Sequence, residues 1–467
     1  MTHMGRLRFL FALWMAKLSV PALKITHHDG TDFPGSLACR LCPDFLRYIG
    51  RPGTIVAVTG TNGKTTVTNT IADILEMNGK RVLSNRAGSN MWSGIATTLL
   101  LGCNLGGKLR KDYDIAVLEV DERSSPRIYP FIQPDVLVVT NLYRDSIKRN
   151  GHSEFIFGKI AQALPAKTRL LLNGDDMISG LLGEGVNPRT FYRVARTTRS
   201  TDGCPNTACD RSACPHCGHL LQFDYYHYHH IGKAHCLHCG FSLPEATFEA
   251  AEVDFDKGCF TFREPGQADL HLHSKQGNLF SVFNVTAAVG CCRMLGLAGE
   301  DIAQAVEAPP VQTGRFERRQ AGKLEIVTML SKNQNPISST QSIAQLSHMA
   351  GEKTVVLTIT DSLDKLHGHE DISWLYDTDF DALKDASVES VYIGGRRCYD
   401  LALRLILGGV PEEKLRLFTD YGELEQTLLA QAPKEGTVAI FFELYAKPIA
   451  MGIRKALLER AGEEVQA

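Results

Sequence analysis

A β-branched run that ends in a glycine-rich loop and opens a helix constrains this chain more than any other stretch. Residues 54–60 read Thr-Ile-Val-Ala-Val-Thr-Gly, the unbroken apolar run of a strand buried on both faces of a sheet. The loop is Gly60, Thr61, Asn62, Gly63, Lys64, Thr65 and Thr66. Val67, Ile71, Ile74 and Leu75 then share one face of a helix over 64–77. Strand, loop and helix together predict a phosphate cradle. Glycine lets backbone N–H groups approach phosphate oxygens without a Cβ in the way, and the helix start adds a positive dipole end. Lys64 is placed to reach terminal phosphates, and a Thr65 or Thr66 hydroxyl to ligate Mg²⁺.

Further strands are expected at 115–120, 135–140 and 169–173. Helical patterns between several of them predict an α/β fold with a mostly parallel sheet covered on both faces. The pattern breaks over 201–245, which is rich in Cys, His, Gly and Tyr. Cys214-Pro215-His216-Cys217 and Cys236-Leu237-His238-Cys239 are spaced C-x₂-C-x₁₈-C-x₂-C, which fits a four-cysteine zinc ribbon. Four thiolates would close the coordination shell, so the expected Zn²⁺ is structural. With little apolar periodicity of its own, this segment reads as a metal-stapled insertion rather than ordinary core. Cys204 and Cys209 are read as loop cysteines, with competing zinc ligands as the alternative, and Cys39 and Cys42 as helix packing, with a metal or redox pair as the alternative. Strand-like segments return at 252–263 and a helix at 282–296. Ala308-Pro309-Pro310 to Gly314 resembles a hinge, after which a second α/β domain is expected over 318–467.

Composition narrows the function classes. The 467 residues suffice for two or three cores. A formal net charge of −2 and a ribbon poor in Lys and Arg argue against a nucleic-acid partner. Cysteine pairs at metal spacing fit a reducing cytoplasm better than a disulfide framework. Arg6 and Arg8 precede an apolar run, Phe9 to Met15, that Lys17 interrupts. The run is far shorter than the roughly 20 residues of a spanning helix. It predicts an amphipathic first helix packed on the next domain. The alternative is peripheral contact with a membrane surface, with Arg6, Arg8 and Lys17 toward the headgroups.

The spelling of the loop resembles the ATP loop of the Mur ligases, a family of amide-forming enzymes. Val117-Leu118-Glu119-Val120-Asp121-Glu122 resembles the strand whose glutamate holds Mg²⁺ in that family, which implies Glu119 here. Thr140-Asn141 and Asn284 match its nucleotide-contacting positions, and Gly314-Arg315-Phe316-Glu317 its junction segment, so Asn141, Asn284 and Arg315 are implied at the ATP site. Only about 50 residues precede the loop, and a ribbon interrupts the domain. Both features resemble MurT-type subunits of lipid II isoglutaminyl synthases, as do His230-Ile231-Gly232 and Asp371-Ile372-Ser373-Trp374.

That resemblance implies a helical lead-in at 1–50 and a Mur-ligase-type ATP domain at 51–317, with the zinc ribbon inserted. A C-terminal domain at 318–467 would meet substrate and partner. It implies cell-wall peptidoglycan chemistry using ATP and Mg²⁺. The D-glutamate α-carboxylate of lipid II would be activated as an acyl phosphate and amidated with ammonia from a GatD-type glutamine amidotransferase subunit. Asp371 would complete that partner's catalytic triad; otherwise it is a helix cap or a surface acid. The chain shows no nucleophile-elbow cysteine of its own, which agrees with ammonia arriving from outside. Lys332-Asn333-Gln334-Asn335-Pro336 and the stretch 366–370 depart from the family pattern. Two alternatives stand beside this expectation: a Mur-like ligase using another amine, and an ATP-bound scaffold.

Overall fold

The computed structural model describes residues 3–25, 30–86, 89–110, 112–145, 150–274, 278–307, 316–331, 334–360 and 371–466. The chain divides into two compact units. One comprises Met1–Tyr143, His152–Pro205 and Cys209–Pro309; the other comprises Arg144–Gly151, Asn206–Ala208 and Pro310–Ala467.

The first unit opens with helices α1 (His3–Ile25), α2 (Phe33–Leu41) and α3 (Phe45–Tyr48). Phe9, Ala12, Leu13 and Ala16 of α1 share a core with Cys39, Cys42, Phe45 and Ile55. The strands that follow are β1 (Thr54–Thr59), β2 (Val82–Ser84), β3 (Ile115–Glu119), β4 (Val136–Val139), β5 (Arg169–Asn173) and β6 (Arg189–Val194). After them come β7 (Gln222–Tyr228), β8 (Ile231–His235), β9 (Phe248–Asp254), β10 (Cys259–Arg263) and β11 (Leu270–His273).

Among the described residues, nine of these form one sheet in the order β11-β10-β9-β6-β5-β4-β1-β3-β2. Strands β2 to β6 and β1 pair in parallel, and so do β6 and β9. β9, β10 and β11 pair antiparallel and make that edge mixed. The strand-like segments expected over 252–263 are the end of β9 and the whole of β10, which form a hairpin with a turn between them. Asp254 Oδ1 accepts from the backbone of Asp256 and Lys257 at 3.0 Å each and turns the chain.

This order positions the site. β1 lies between β3 and β4, with Val58 opposite Glu119 and Thr59 opposite Val139. The strand order reverses there, and in such sheets the crevice beyond the carboxyl ends binds ligands. Helix α4 (Lys64–Met77) leaves the end of β1 and buries Val67, Ile71, Ile74 and Leu75 against the sheet. It ends where Gly79 takes φ +76° and Lys80 N–H reaches the Leu75 carbonyl at 3.0 Å.

β7 and β8 form a separate antiparallel pair. The insertion is less detached than its composition predicts. Tyr228 and Ile231, beside the hairpin tip, are buried, and the Tyr228 ring lies 4.6 Å from Phe280. With the edge contact of Tyr228 to Phe283 at 6.3 Å, aromatic packing thus supplies what periodicity could not.

The second unit carries a six-stranded sheet among the described residues. Its strands are β12 (Phe316–Ala321), β13 (Leu324–Ser331), β14 (Lys353–Thr358), β15 (Val388–Gly394), β16 (Leu415–Phe418) and β17 (Gly436–Glu443). They run in the order β12-β13-β17-β14-β15-β16. β12 and β13 are an antiparallel hairpin, and the other pairings are parallel. Alternate residues feed two cores: Val355, Leu357 and Phe441 face one side, Val356, Val438 and Ile440 the other. Among the described residues, no helix is long and apolar enough to cross a membrane.

Candidate active site

Glycine is required at both ends of the loop. Gly60 has φ +126° and Gly63 φ +89°, conformations that side chains rarely adopt. A Cβ on Gly60 would strike Thr140, and one on Gly63 would strike the Asn284 carboxamide. The segment after β4 pins the loop. The Asn141 carbonyl accepts from Thr61 N–H at 2.8 Å, and its Oδ1 accepts from Asn62 N–H at 3.0 Å. Asn141 Nδ2 donates to the Asn62 carbonyl at 3.2 Å, and Thr140 Oγ1 to the same carbonyl at 2.6 Å. Asn141 and Asn284, expected as nucleotide contacts, both lie against the loop, and Asn141 also holds its shape.

Lys64 is buried at the start of α4. Its Nζ donates to the Gly60 carbonyl and forms an ion pair with Glu122 Oε1 at 2.7 Å. Burial alone would lower the ammonium pKa. The charge and hydrogen bond of Glu122, with Glu119 and Asp121 nearby, outweigh burial and raise it. Lys64 is therefore charged at neutral pH. Sequence reasoning assigned Glu119 and passed over Glu122 in the same stretch. The missed signal was an acid three residues beyond the strand end, where a short 3₁₀ turn, Glu122–Ser124, swings it back toward the loop.

Glu119 ends β3. Its Oε1 accepts from Asn90 Nδ2 at 2.9 Å, and Asn85 clamps its backbone through two 2.9 Å hydrogen bonds. Asn85 and Asn90 were also missed. Thr65 is exposed and Thr66 half-buried in the first turn of α4. Carboxylate and hydroxyl oxygens beside a phosphate loop are the hard donors that Mg²⁺ takes. The first-turn N–H groups of a helix have no intrahelical acceptor, which suits a phosphate.

Arg315, Lys332, Asn333 and the stretch 366–370 lie outside the described residues. In the second unit, Asp371 Oδ1 accepts from Ser373 N–H at 3.0 Å and Ser373 Oγ at 2.7 Å. It thus closes a turn just ahead of the short helix Ser373–Asp377, whose N-cap position is Ile372.

The four ribbon cysteines converge. The sulfurs of Cys214, Cys217, Cys236 and Cys239 lie within 4.8 Å of one another. Cys214 and Cys239 are 3.6 Å apart, Cys217 and Cys236 3.5 Å. A tetrahedral zinc–thiolate centre, with bonds of about 2.3 Å, has sulfur–sulfur edges of about 3.8 Å. The donor set therefore fits Zn²⁺. Each knuckle closes on a left-handed glycine, Gly218 at φ +76° and Gly240 at φ +71°.

A buried network joins the ribbon hairpin to the loop. His230 Nε2 lies 3.0 Å from Asp176 Oδ1, and Asp176 Oδ2 accepts from Leu142 N–H at 2.7 Å. Leu142 follows Asn141, so the hairpin tip steadies the segment that pins Asn62. Burial alone would raise the Asp176 pKa, but its bond and charge interaction with His230, with help from Ser179 and Ile178, bring it below the ordinary value. Next to it, burial pushes Asp175 up to about 7. Burial also lowers His227, whose Nε2 lies 3.8 Å from Asp175 Oδ2, to about 4. The available signal was the polar run Asn173-Gly174-Asp175-Asp176 directly after an apolar strand.

Known proteins agree with this architecture. Residues 58–200 match the Mur ligase middle domain, and residues 330–446 the MurT ligase C-terminal domain. The lipid II isoglutaminyl synthase (glutamine-hydrolyzing) subunit MurT of Staphylococcus aureus (strain COL) is 32% identical over 85% of this chain and 88% of its own length. The subunit of the same name from Streptococcus pneumoniae (strain ATCC BAA-255 / R6) is 32% identical over 85% of this chain and 86% of its own. A pseudomurein peptide ligase type C from Methanothermus fervidus shares the fold at a TM-score of 0.66 and 21% identity, covering 89% of this chain and 81% of its own. With relatives at this identity along most of its length and a site built on a Mur-type ATP loop, the chain belongs to the MurT family of lipid II isoglutaminyl synthase subunits and is an ATP-dependent ligase.

Proposed function

We propose that this chain is a synthetase subunit that amidates the D-glutamate α-carboxylate of the lipid II stem peptide to D-isoglutamine. The carboxylate becomes an acyl phosphate, ammonia attacks its carbonyl carbon, and phosphate leaves. Ammonia is supplied by a GatD-type glutaminase partner, and Asp371 is the residue proposed to serve that partner's histidine. Bound Mg-ATP supplies the phosphoryl group and neutralises its charge.

The observation that carries this reading is the charged Lys64 held between the loop and Glu122 at 2.7 Å. In this role Lys64 exchanges loop carbonyls for phosphate oxygens, and Glu122 keeps the ammonium aimed during the exchange. Glu119 and a Thr65 or Thr66 hydroxyl hold Mg²⁺. Asn284 stands beside Gly63, Asn141 keeps the loop in register, and Arg315 is proposed to reach the transferring phosphoryl group. Zn²⁺ on Cys214, Cys217, Cys236 and Cys239 staples the ribbon and takes no part in the chemistry.

The test is to incubate the purified chain with lipid II, Mg-ATP and ammonium chloride, without a partner, and to read the stem peptide by mass spectrometry. Conversion of the D-glutamate carboxyl to a carboxamide, with ADP released, is expected. Turnover with amino acids but none with ammonium would replace this reading with that of a Mur-like ligase for another amine.

A further inference from the structure

Helix α1 has two apolar faces, and only one is in the core. Phe9, Ala12, Leu13 and Ala16 are buried. On the opposite side, Met4, Leu7, Phe11, Trp14, Met15 and Leu18 recur at three- and four-residue steps and form a second stripe. They are strongly exposed: Met4 is 81% accessible, Leu7 60%, Phe11 54% and Leu18 66%. Scattered apolar residues on a surface need no explanation, but a continuous stripe of six large ones does. The stripe continues at its middle, where Trp14 Nε1 donates to the carbonyl of Leu105 at 2.8 Å and the Leu105 side chain is 68% accessible.

Charge decides what covers it. Residues 1–28 include Arg6, Arg8, Lys17 and Lys24 and no acid. Arg6 and Arg8 are exposed, and exposed Lys108 and Arg110 follow Leu105. Two copies of such a helix would meet cation to cation in either direction, so a second copy is disfavoured. An anionic, apolar partner satisfies both features. Trp and Phe on one face with cations beside it are the composition of a helix lying in a bilayer interface, and α1 is not apolar enough to span one.

We propose that the outer face of α1, extended by Leu105, docks on the surface of an anionic lipid bilayer. This builds on the proposed acceptor, since a lipid-borne substrate brings the enzyme to a membrane. The inner face of α1 belongs to the core of the ATP unit, so docking holds that unit, and not a flexible tether, at the surface.

The experiment is flotation of the full chain with vesicles of phosphatidylcholine alone or mixed with phosphatidylglycerol, both free of lipid II. Leu7→Gln, Phe11→Gln and Leu18→Gln are combined in one variant. Glutamine is a good helix former and these side chains are outward, so the melting temperature serves as the folding control. A second variant, Arg6→Glu with Arg8→Glu, tests charge. The expected result is flotation with the mixed vesicles, weakened by salt and by the charge variant, and reduced about tenfold or more in the triple variant. Turnover on a tail-less, water-soluble acceptor should stay at the parent level. Equal flotation of parent and triple variant would overturn the proposal. So would a parent that ignores vesicles and sediments as a dimer that the triple variant splits, which would give the face to a second copy. A parent that floats but amidates no acceptor would sink the proposed function and leave the docking intact.

Discussion

Lys64 and Glu122 are the residues on which the ATP site turns. Their side chains are 9% and 8% accessible, so neither charge is compensated by water. Lys64→Met should abolish turnover and also destabilise the fold, because it strands the Glu122 carboxylate; the cost of breaking a buried pair is about 3–5 kcal/mol. Adding Glu122→Leu should restore most of the melting temperature and none of the activity. If Lys64→Met alone left stability unchanged, the pair would not be formed in solution. A second prediction concerns Asp175 and His227. Asp175 has a raised folded-state pKa of about 7, so the folded chain keeps a proton that the unfolded chain loses, and stability falls as pH rises from about 4 to 7. His227 has a lowered one of about 4 against 6.5, so its contribution rises with pH from about 4 to 6.5. The two slopes oppose. In His227→Gln, unfolding free energy should fall with pH across this window by about 1 kcal/mol per unit, and in Asp175→Asn it should rise as steeply. Parallel profiles for the two variants would contradict the assignment. Lys64 and Glu119 were legible because a loop motif and a strand end place them. Glu122, Asp175 and His227 were not, because their partners are 58 residues away in sequence or lie across an inserted hairpin.

At the scale of elements, a chain of hydrogen bonds links the hairpin of β7 and β8 to the loop. It runs through His230, Asp176 and Leu142 to Asn141 and Asn62. Stripping the proposed Zn²⁺ from the four cysteines with a chelator should therefore weaken nucleotide binding, read by titration calorimetry. His230→Ala should weaken it similarly, by about tenfold if one buried hydrogen bond to a charged group is lost. Unchanged nucleotide affinity after complete zinc loss would break this link. Gly63→Ala should be worse than either, since it combines a strained φ with a collision against Asn284. The alternation of strand and helix was readable over β1, α4, β3 and β5, where apolar runs are long and unbroken. Two things were not readable. The β9–β10 turn rests on one side-chain cap from Asp254, and the insertion packs through aromatic contacts of Tyr228 that carry no period.

In the whole molecule, the ATP unit and the C-terminal unit each carry a sheet with its own core. The loop motif and the cysteine spacing made the architecture legible because each is local and each needs a particular fold around it. The acceptor site was less legible, since the departures at 332–336 and 366–370 lie in segments without periodic pattern or a defining spacing. The central claim is that the loop serves to activate a substrate carboxylate. The direct measurement uses lipid II labelled with ¹⁸O in the D-glutamate α-carboxylate, with Mg-ATP and ammonium, and follows the label into inorganic phosphate. One labelled oxygen in each phosphate released, matched to each amide formed, is the expected result, because phosphate leaves the acyl carbon with that oxygen. Amide formed with unlabelled phosphate would show that the carboxylate is never phosphorylated and would contradict the mechanism at its first step.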